Sequence, residues 1–240
     1  MRLYVIAGHG AGDPGAVGCG HTEAGLVREL AARLGSMGGG AVTVLNTARN
    51  WYADNGISRL SLPADAQLLE LHMDAGPAAA HGAHVIINGR YSADEYDTAL
   101  ASFLAGFMPG RSSTLVGRTD LANSNRAAAK GISYRLAECG FVTNAADVDR
   151  FMGRMGELAA GILAAFGIEA KGESMSEDVE KAAREILRTD DPTGRGVHMT
   201  THEHVKWIAA KQADMAERLE RIEAALTRSE QDGKVTGELN

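Results

Sequence analysis

Residues 3–34, LYVIAGHGAGDPGAVGCGHTEAGLVRELAARL, run from a short apolar stretch through a glycine-rich loop into an amphipathic helical pattern. The apolar residues 3–7 have the length and composition of a buried strand. The helical pattern begins at about Thr22, a residue type that caps helix N-termini. We therefore expect a strand, a tight loop and a helix in succession, which is the building unit of a parallel α/β sheet.

The same alternation of patterns continues to about residue 166. Further strand patterns lie at 41–45, 66–71, 84–88 and 132–138, and helical patterns lie at about 22–37, 93–107 and 145–166. They predict an α/β domain in which a twisted, mostly parallel sheet carries helices on both faces. In such sheets functional sites gather at the carboxyl ends of the strands.

The composition argues against several classes of protein. The 240 residues have a net charge of −7, only 5% aromatic residues and no cluster of Lys and Arg, so nucleic acid is not expected as a partner. The chain has no apolar run near 18 residues, so membrane insertion is not expected either. The first residues lack the regions of a signal peptide, and two cysteines are too few for a disulfide framework. We therefore expect a cytoplasmic protein without a signal peptide.

Three residues that can bind a metal or move a proton end separate strand patterns, namely His9, His72 and Glu138. Parallel strands would bring them to one edge of the sheet, and Glu23 starts the first helix at the same edge. Two imidazoles and a carboxylate form a common catalytic zinc shell, which His9, Glu23 and His72 match. Glu138 is then the candidate for proton transfer. Each residue alone would more often be an ordinary polar residue, so the interpretation depends on their combination.

Three segments carry these residues, namely GHGAGDPGAVGCGHTEAG (8–25), LELHMDAG (69–76) and LAECGFVTNAADVDRF (136–151). They resemble the signature segments of the zinc-dependent N-acetylmuramoyl-L-alanine amidases, the type-3 amidase family of autolysins and phage endolysins. The resemblance extends over about residues 3–167. It implies hydrolysis of the amide bond between N-acetylmuramic acid and L-alanine, with bacterial peptidoglycan as the partner.

The resemblance also implies roles for individual residues. It assigns Zn2+ binding to His9, Glu23 and His72 and catalysis to Glu138. His21 lies two residues before Glu23 and is the alternative ligand.

The chain departs from the family pattern around the second histidine. Family members commonly have serine-isoleucine before this histidine and asparagine two residues after it, whereas this chain has LELHMDA, with Asp74 in place of the asparagine. His81 and His84 are additions in the segment that follows. These departures bear on the substrate rather than on the zinc chemistry.

Four other residues near these segments have ordinary interpretations. Cys19 could be a soft ligand, but packing is favoured for the cysteines. Cys139 follows Glu138 on a strand, so alternation places it on the opposite face, in the core. Asn144 and Asp147 are expected to cap and steady the following helix.

The composition changes near residue 170, because the first 170 residues contain 24 of the 29 glycines. We predict a zinc amidase domain at 1–169, a linker at 170–176 and a helical C-terminal module at 177–240. Part of this module has the a/d spacing of a coiled coil, which predicts a homo-oligomer through the C-terminal helix. The alternative is a helix packed on the catalytic domain. The seam positions are Val205, Ile208, Gln212, Met215, Leu219, Ile222 and Leu226.

Two further features of this region have competing interpretations. His198, His202 and His204 lack an acidic or cysteine partner at fixed spacing, which indicates a solvated face rather than a metal site. The codons just before that of Met175 can contain a ribosome-binding sequence, so translation of a shorter product could start at Met175. The alternative is that Met175 is an ordinary linker residue.

The sequence therefore predicts a peptidoglycan amidase. The modular layout and the missing signal peptide favour a phage endolysin for host lysis, held in the host cytoplasm until its release to the cell wall. Two alternatives remain open: a non-catalytic cell-wall-binding or virion protein, and a zinc carboxypeptidase that acts on the stem peptide.

Overall fold

The computed structural model describes residues 1–10 and 12–171. The chain divides into two units, Met1–Ser174 and Met175–Asn240, and the described residues belong to the first. The helical module, its coiled-coil positions, the histidines at 198–204 and the internal start at Met175 lie outside the described residues and stay predictions.

A mixed sheet of six strands forms the centre of the described residues. The described residues contain eight strands in all, six in this sheet and two in a separate pair: β1 (Arg2–Ala7), β2 (Val17–Gly18), β3 (His21–Thr22), β4 (Val42–Val44), β5 (Ala66–Asp74), β6 (His84–Asn88), β7 (Leu115–Arg118) and β8 (Ser133–Phe141). The sheet order is β4-β1-β5-β8-β6-β7, and β2 pairs with β3. Strands β4, β1, β5 and β8 are parallel, while β6 is antiparallel to β8 and parallel to β7. The predicted mostly parallel α/β sheet is confirmed, with two strands reversed.

Three of the five α-helices of the described residues begin at a side-chain cap. The five helices are α1 (Glu23–Gly38), α2 (Glu95–Phe107), α3 (Ala122–Ala129), α4 (Ala145–Gly153) and α5 (Met155–Ala165). Thr22 Oγ1 accepts a hydrogen bond from Gly25 N at 3.1 Å and caps α1. Asp94 and Asp97 form a capping box at the start of α2. Within this part of the chain, no helix is long and apolar enough to cross a lipid bilayer.

Helices cover both faces of the sheet, as predicted. Leu30 of α1 and Leu158 of α5 are buried in one core with Leu69 of β5. Ala127 of α3 is buried in a second core with Leu68, the preceding residue of β5. Because successive residues of a strand point to opposite faces, the two cores lie on the two sides of the sheet.

The structure differs from the predicted elements in the helix over 145–166, at β7 and α3, and in the short strands β2 and β3, which lie in the predicted loop. The single helix predicted over 145–166 is divided into α4 and α5, because the backbone at Arg154 leaves helical geometry with φ −126° and ψ 29°. Gly153 ends α4, and glycine weakens a helix. Strand β7 has no predicted counterpart because it has only four residues, and α3 has none because polar residues and alanine dominate it.

The reversal of β6 determines which residues lie beside Glu138. His72 of β5 is paired with Glu138 of β8, which is in turn paired with His84 of β6. Paired residues of neighbouring strands point to the same face, so the three side chains form one row. His84 begins its strand, and it reaches the carboxyl end of β8 because β6 is antiparallel.

Candidate active site

Three side chains meet at the carboxyl ends of β1 and β5. His9 follows β1, Glu23 is the first residue of α1, and His72 lies in β5. Glu23 Oε1 is 3.0 Å from His9 Nε2 and 2.8 Å from His72 Nδ1. One possible ligand atom from each of these residues lies within 4.8 Å of the other two, as a shared metal ion requires. The structure thus brings together His9, Glu23 and His72, which we call the triad.

The glycine loop after β1 lets the triad assemble. Gly15 has φ +65°, and a Cβ there would lie 2.7 Å from both Glu23 Oε2 and His9 Cδ2. A Cβ at Gly8 would lie 2.4 Å from His72 Cε1. Real Cβ atoms essentially never approach other atoms this closely, so the absence of side chains at both positions is a condition for the triad.

A carboxylate lies within hydrogen-bonding distance of the outer nitrogen of each imidazole, which is the nitrogen that faces away from Glu23. Asp13 Oδ2 is 2.9 Å from His9 Nδ1, and Glu70 Oε1 is 3.3 Å from His72 Nε2. The two rings therefore present different nitrogens toward Glu23, namely Nε2 of His9 and Nδ1 of His72.

Glu70 is fixed beneath His72 by two further residues. Asn123 Nδ2 donates to its two oxygens at 2.9 and 3.1 Å, and Tyr134 OH donates to Oε2 at 2.6 Å. Burial disfavours the charge of Glu70, but hydrogen bonds from His72 and these two donors lower its pKa, so it stays ionised. A glutamate inside the apolar run 66–71 is the sequence feature that could have identified it.

Glu23 is a buried, ionised carboxylate. Its Oε2 accepts a hydrogen bond from Ala16 N at 3.0 Å, and its Oε1 accepts one from Met73 N at 3.1 Å. Burial raises the pKa of Glu23, but hydrogen bonds from His72 and His9 outweigh this effect and hold the pKa well below its ordinary value. The charged form is the one that binds a metal ion.

Glu138 lies beside the triad with an unused oxygen. Its Oε2 is buried and has no hydrogen-bond partner among residues 1–10 and 12–171. Burial raises the pKa of Glu138 to about 7, against the opposing effect of His72. A carboxyl group with such a pKa can both accept and donate a proton near neutral pH.

The other candidates near the site lie outside the triad. Cys139 is fully buried in the first core, as predicted. Cys19 is exposed, and His21 lies in the short strand β3. His81 is exposed, and its Nδ1 is 2.9 Å from Ala79 O.

Asn144 and Asp147 both stabilise local structure. Asn144 Oδ1 accepts a hydrogen bond from Asp147 N at 3.1 Å and caps α4, as predicted. Asp147 Oδ2 accepts hydrogen bonds from Gly82 N at 2.8 Å and from Phe141 N at 2.9 Å. Asp147 therefore joins the end of β8 to the loop before β6, a role that the sequence did not indicate.

Two more polar residues lie near the carboxyl end of β8, namely His84 and Arg111. His84 Nδ1 is buried without a partner among the described residues, and burial, reinforced by Arg111, lowers the pKa of His84 to about 4. The guanidinium carbon of Arg111 lies 4.4 Å from the centre of the Phe141 ring, and its Nη2 donates to the Asp74 carboxylate. Arg111 lies in the loop between α2 and β7, where no sequence pattern pointed to it.

Comparison with known proteins gives matches over this part of the chain. Residues 3–170 match the family model described as N-acetylmuramoyl-L-alanine amidase. Over 171 residues the chain is 31% identical to a protein named probable autolysin PH from Staphylococcus aureus (strain NCTC 8325 / PS 47). The alignment covers 62% of this chain and 34% of that protein, so the chain spans about a third of the length of its curated relative.

Solved amidase structures share the fold. The catalytic domain of the CD27L endolysin targeting Clostridia difficile has a TM-score of 0.57 and 20% identity, covering 70% of this chain and 98% of that one. The CwlD amidase from Clostridioides difficile, solved with the GerS lipoprotein, has a TM-score of 0.56 and 17% identity, covering 70% and 97%. Ami1 from Mycobacterium smegmatis has a TM-score of 0.54 and 16% identity, covering 69% and 95%. Because the family model matches well over half of its residues, the chain belongs to the N-acetylmuramoyl-L-alanine amidase family.

Proposed function

We propose that the protein is a zinc-dependent N-acetylmuramoyl-L-alanine amidase, which hydrolyses the amide bond between N-acetylmuramic acid and L-alanine in peptidoglycan. The observation that carries this proposal is the convergence of the triad beside the buried Oε2 of Glu138, which has no hydrogen-bond partner in the described part of the chain. The family match supports the choice of substrate, and the curated relative is named as a probable autolysin.

The donor atoms of the triad fit zinc. Two imidazole nitrogens and one carboxylate oxygen leave a fourth position for water or substrate. In the metal-free site Nε2 of His9 and Nδ1 of His72 donate to Glu23, and they would lose these protons when a metal binds, while Asp13 and Glu70 continue to accept hydrogen bonds from the outer ring nitrogens. Zinc held there would polarise the scissile carbonyl group and lower the pKa of a water molecule to about 7.

Glu138 carries out the proton transfers of the proposed reaction. As a carboxylate it takes a proton from the attacking water while the water oxygen bonds to the carbonyl carbon. As a carboxylic acid it then donates this proton to the amide nitrogen as the carbon–nitrogen bond breaks. The products are the lactyl carboxylate of the muramic acid and a peptide with a free amino group. Burial, which raises the pKa of Glu138 above that of an ordinary glutamate, suits both transfers.

We further propose that this amidase is a phage endolysin, held in the host cytoplasm until its release to the cell wall. The modular layout supports this role, since the family match ends at residue 170 and a region of different composition follows. An endolysin of this kind combines a cutting domain with a separate module. On this proposal residues 177–240 bind the wall or join chains into a homo-oligomer, and a product starting at Met175 adds further copies of the module.

Isolated bacterial walls should lose turbidity when the purified protein is added, and mass spectrometry should show peptides with a free N-terminal L-alanine. His9→Ala, Glu23→Ala and His72→Ala should each reduce zinc content and activity together, because each removes one of three ligands. Glu138→Gln should retain zinc while its turnover falls about a hundredfold or more, the scale of a missing general base.

Each contrary result of this experiment identifies a different error. Loss of a C-terminal residue from the stem peptide would indicate a carboxypeptidase instead. Binding to walls without release of fragments would indicate a non-catalytic wall-binding protein. A Glu138→Gln protein without zinc would place Glu138 among the metal ligands.

The buried carboxylate of Glu70 should strengthen zinc binding through His72. We expect Glu70→Gln to weaken zinc affinity about tenfold or more, because the neutral amide no longer supports the basicity of the ring nitrogen that faces the metal. Tyr134→Phe is the matched control, since it removes a donor to Glu70 without touching His72. Competition titration with a chelator measures both affinities, and equal affinities of wild type and Glu70→Gln would contradict the assigned role.

Glu138 should make the stability of the metal-free protein depend on pH. Its pKa rises from the ordinary 4.5 to about 7 on folding, so the folded state binds the proton more tightly. The free energy of unfolding therefore decreases as pH rises from about 4.5 to 7. Glu138→Gln removes this contribution, so after chelation the variant should be more stable than wild type at pH 8 and the difference should shrink toward pH 4.5. Thermal unfolding measures it, and parallel curves for the two proteins would refute the raised pKa.

Production inside a sensitive bacterium tests the endolysin role. Cells should stay intact until a pore-forming agent opens the membrane, and they should then lyse, because only then does the enzyme meet the wall. Cells that produce Glu138→Gln are the control, and they should not lyse when the pore-forming agent is added. Lysis without the agent would contradict the endolysin role and leave the amidase activity standing.

A further inference from the structure

Three of the four buried polar side-chain atoms that lack a hydrogen-bond partner among the described residues lie at the candidate site. Within the described residues such atoms are Oε2 of Glu138, Nδ1 of His84, Nε of Arg111 and Oγ of Ser124. The first three lie around the carboxyl end of β8, since Glu138 is paired with His84 and the Arg111 guanidinium lies on the ring of Phe141, the last residue of this strand. Leaving buried polar atoms unpaired is costly, so this cluster points to a ligand that completes its hydrogen bonds.

Arg111 is held at the site by residues at two strand ends. Its guanidinium carbon lies 4.4 Å from the centre of the Phe141 ring, and its Nη2 donates to the Asp74 carboxylate. Phe141 and Asp74 end β8 and β5 and are paired there. The guanidinium group is therefore fixed at the triad's edge of the sheet, and its Nε is left for another acceptor.

The triad and His84 lie on opposite sides of Glu138. His72, Glu138 and His84 belong to the neighbouring strands β5, β8 and β6, which are spaced about 4.8 Å apart. In the proposed reaction the scissile carbonyl oxygen points to the triad, and Glu138 protonates the amide nitrogen. The part of the substrate that leaves with this nitrogen then extends past Glu138 toward His84, and Arg111 borders its path at the ends of β5 and β8.

We propose that His84 and Arg111 form the subsite for the stem peptide, the part of the substrate that leaves with the L-alanine nitrogen. This inference rests on the proposed amidase function. Arg111 Nε donates to a carbonyl or carboxylate oxygen of the peptide, and the imidazole of His84 forms a hydrogen bond with a neighbouring peptide group. The glycan lies on the triad side of Glu138. The two side chains thereby favour substrates whose peptide continues beyond L-alanine.

A comparison of two soluble substrates tests the subsite. N-acetylmuramyl-L-alanine lacks the rest of the stem, and an N-acetylmuramyl pentapeptide carries it. Wild type should have a higher kcat/KM for the pentapeptide. His84→Ala and Arg111→Lys should each lower the ratio of kcat/KM for the pentapeptide to kcat/KM for N-acetylmuramyl-L-alanine about tenfold. This is the effect of one lost hydrogen bond to a charged or buried group. Arg111→Lys retains the positive charge near Asp74 and removes the Nε donor.

His81→Ala is the matched control, because His81 is an exposed histidine three residues from His84 with a backbone partner of its own. It should leave the substrate ratio unchanged. Zinc content should be the same in all variants, which separates substrate binding from metal binding. An unchanged ratio in both His84→Ala and Arg111→Lys, or a wild type without preference for the pentapeptide, would overturn the subsite. A wild type that cleaves neither substrate would instead overturn the amidase function.

A second measurement uses only the wild-type protein, so it does not depend on whether a variant folds. Titration of the zinc-loaded wild type with the free pentapeptide product should shift the NMR signals of the Arg111 Nε–H group and the His84 ring, while the His81 ring should not respond. The absence of a shift at Arg111 and His84 at saturating peptide would contradict the proposal.

Discussion

The carboxylate of Glu23 is the contact on which the rest of the site depends. It is hydrogen-bonded to His9 in the loop after β1 and to His72 in β5, and it accepts hydrogen bonds from the backbone of Ala16 and Met73. One side chain thus connects the glycine loop, the first helix and a central strand. Because Glu23 is the first residue of α1, the partial positive charge of the helix N-terminus also stabilises its ionised form.

The two carboxylates behind the imidazoles differ in the strength of their effect. The side chain of Asp13 is 42% exposed, so solvent screens its interaction with His9. The side chain of Glu70 is only 4% exposed, and its charge acts on His72 through a medium of lower dielectric constant. Zinc affinity should therefore depend more on Glu70 than on Asp13.

The sequence predicts what depends on local pattern and misses what depends on tertiary pairing. The positions of His9, His72 and Glu138 at strand ends follow from apolar runs that each end at a polar residue. The direction of β6 is not a local property, because a strand has the same alternation either way along the sheet, so the place of His84 beside Glu138 could not be predicted. Arg111 belongs to a loop, and only the folded chain brings it to the site.

The family departure at Asp74 is connected with the chemistry of Glu138. Burial is the main cause of the raised pKa of Glu138, while the charges of Asp74 and Arg111 act on it with opposite signs. These two residues form an ion pair, so their charges oppose each other in their effect on Glu138. The asparagine that is common in the family would leave the Arg111 charge uncompensated and lower the pKa of Glu138. Asp74 therefore lets the site keep a cation for the stem peptide while burial continues to set the pKa of the proton-transfer group.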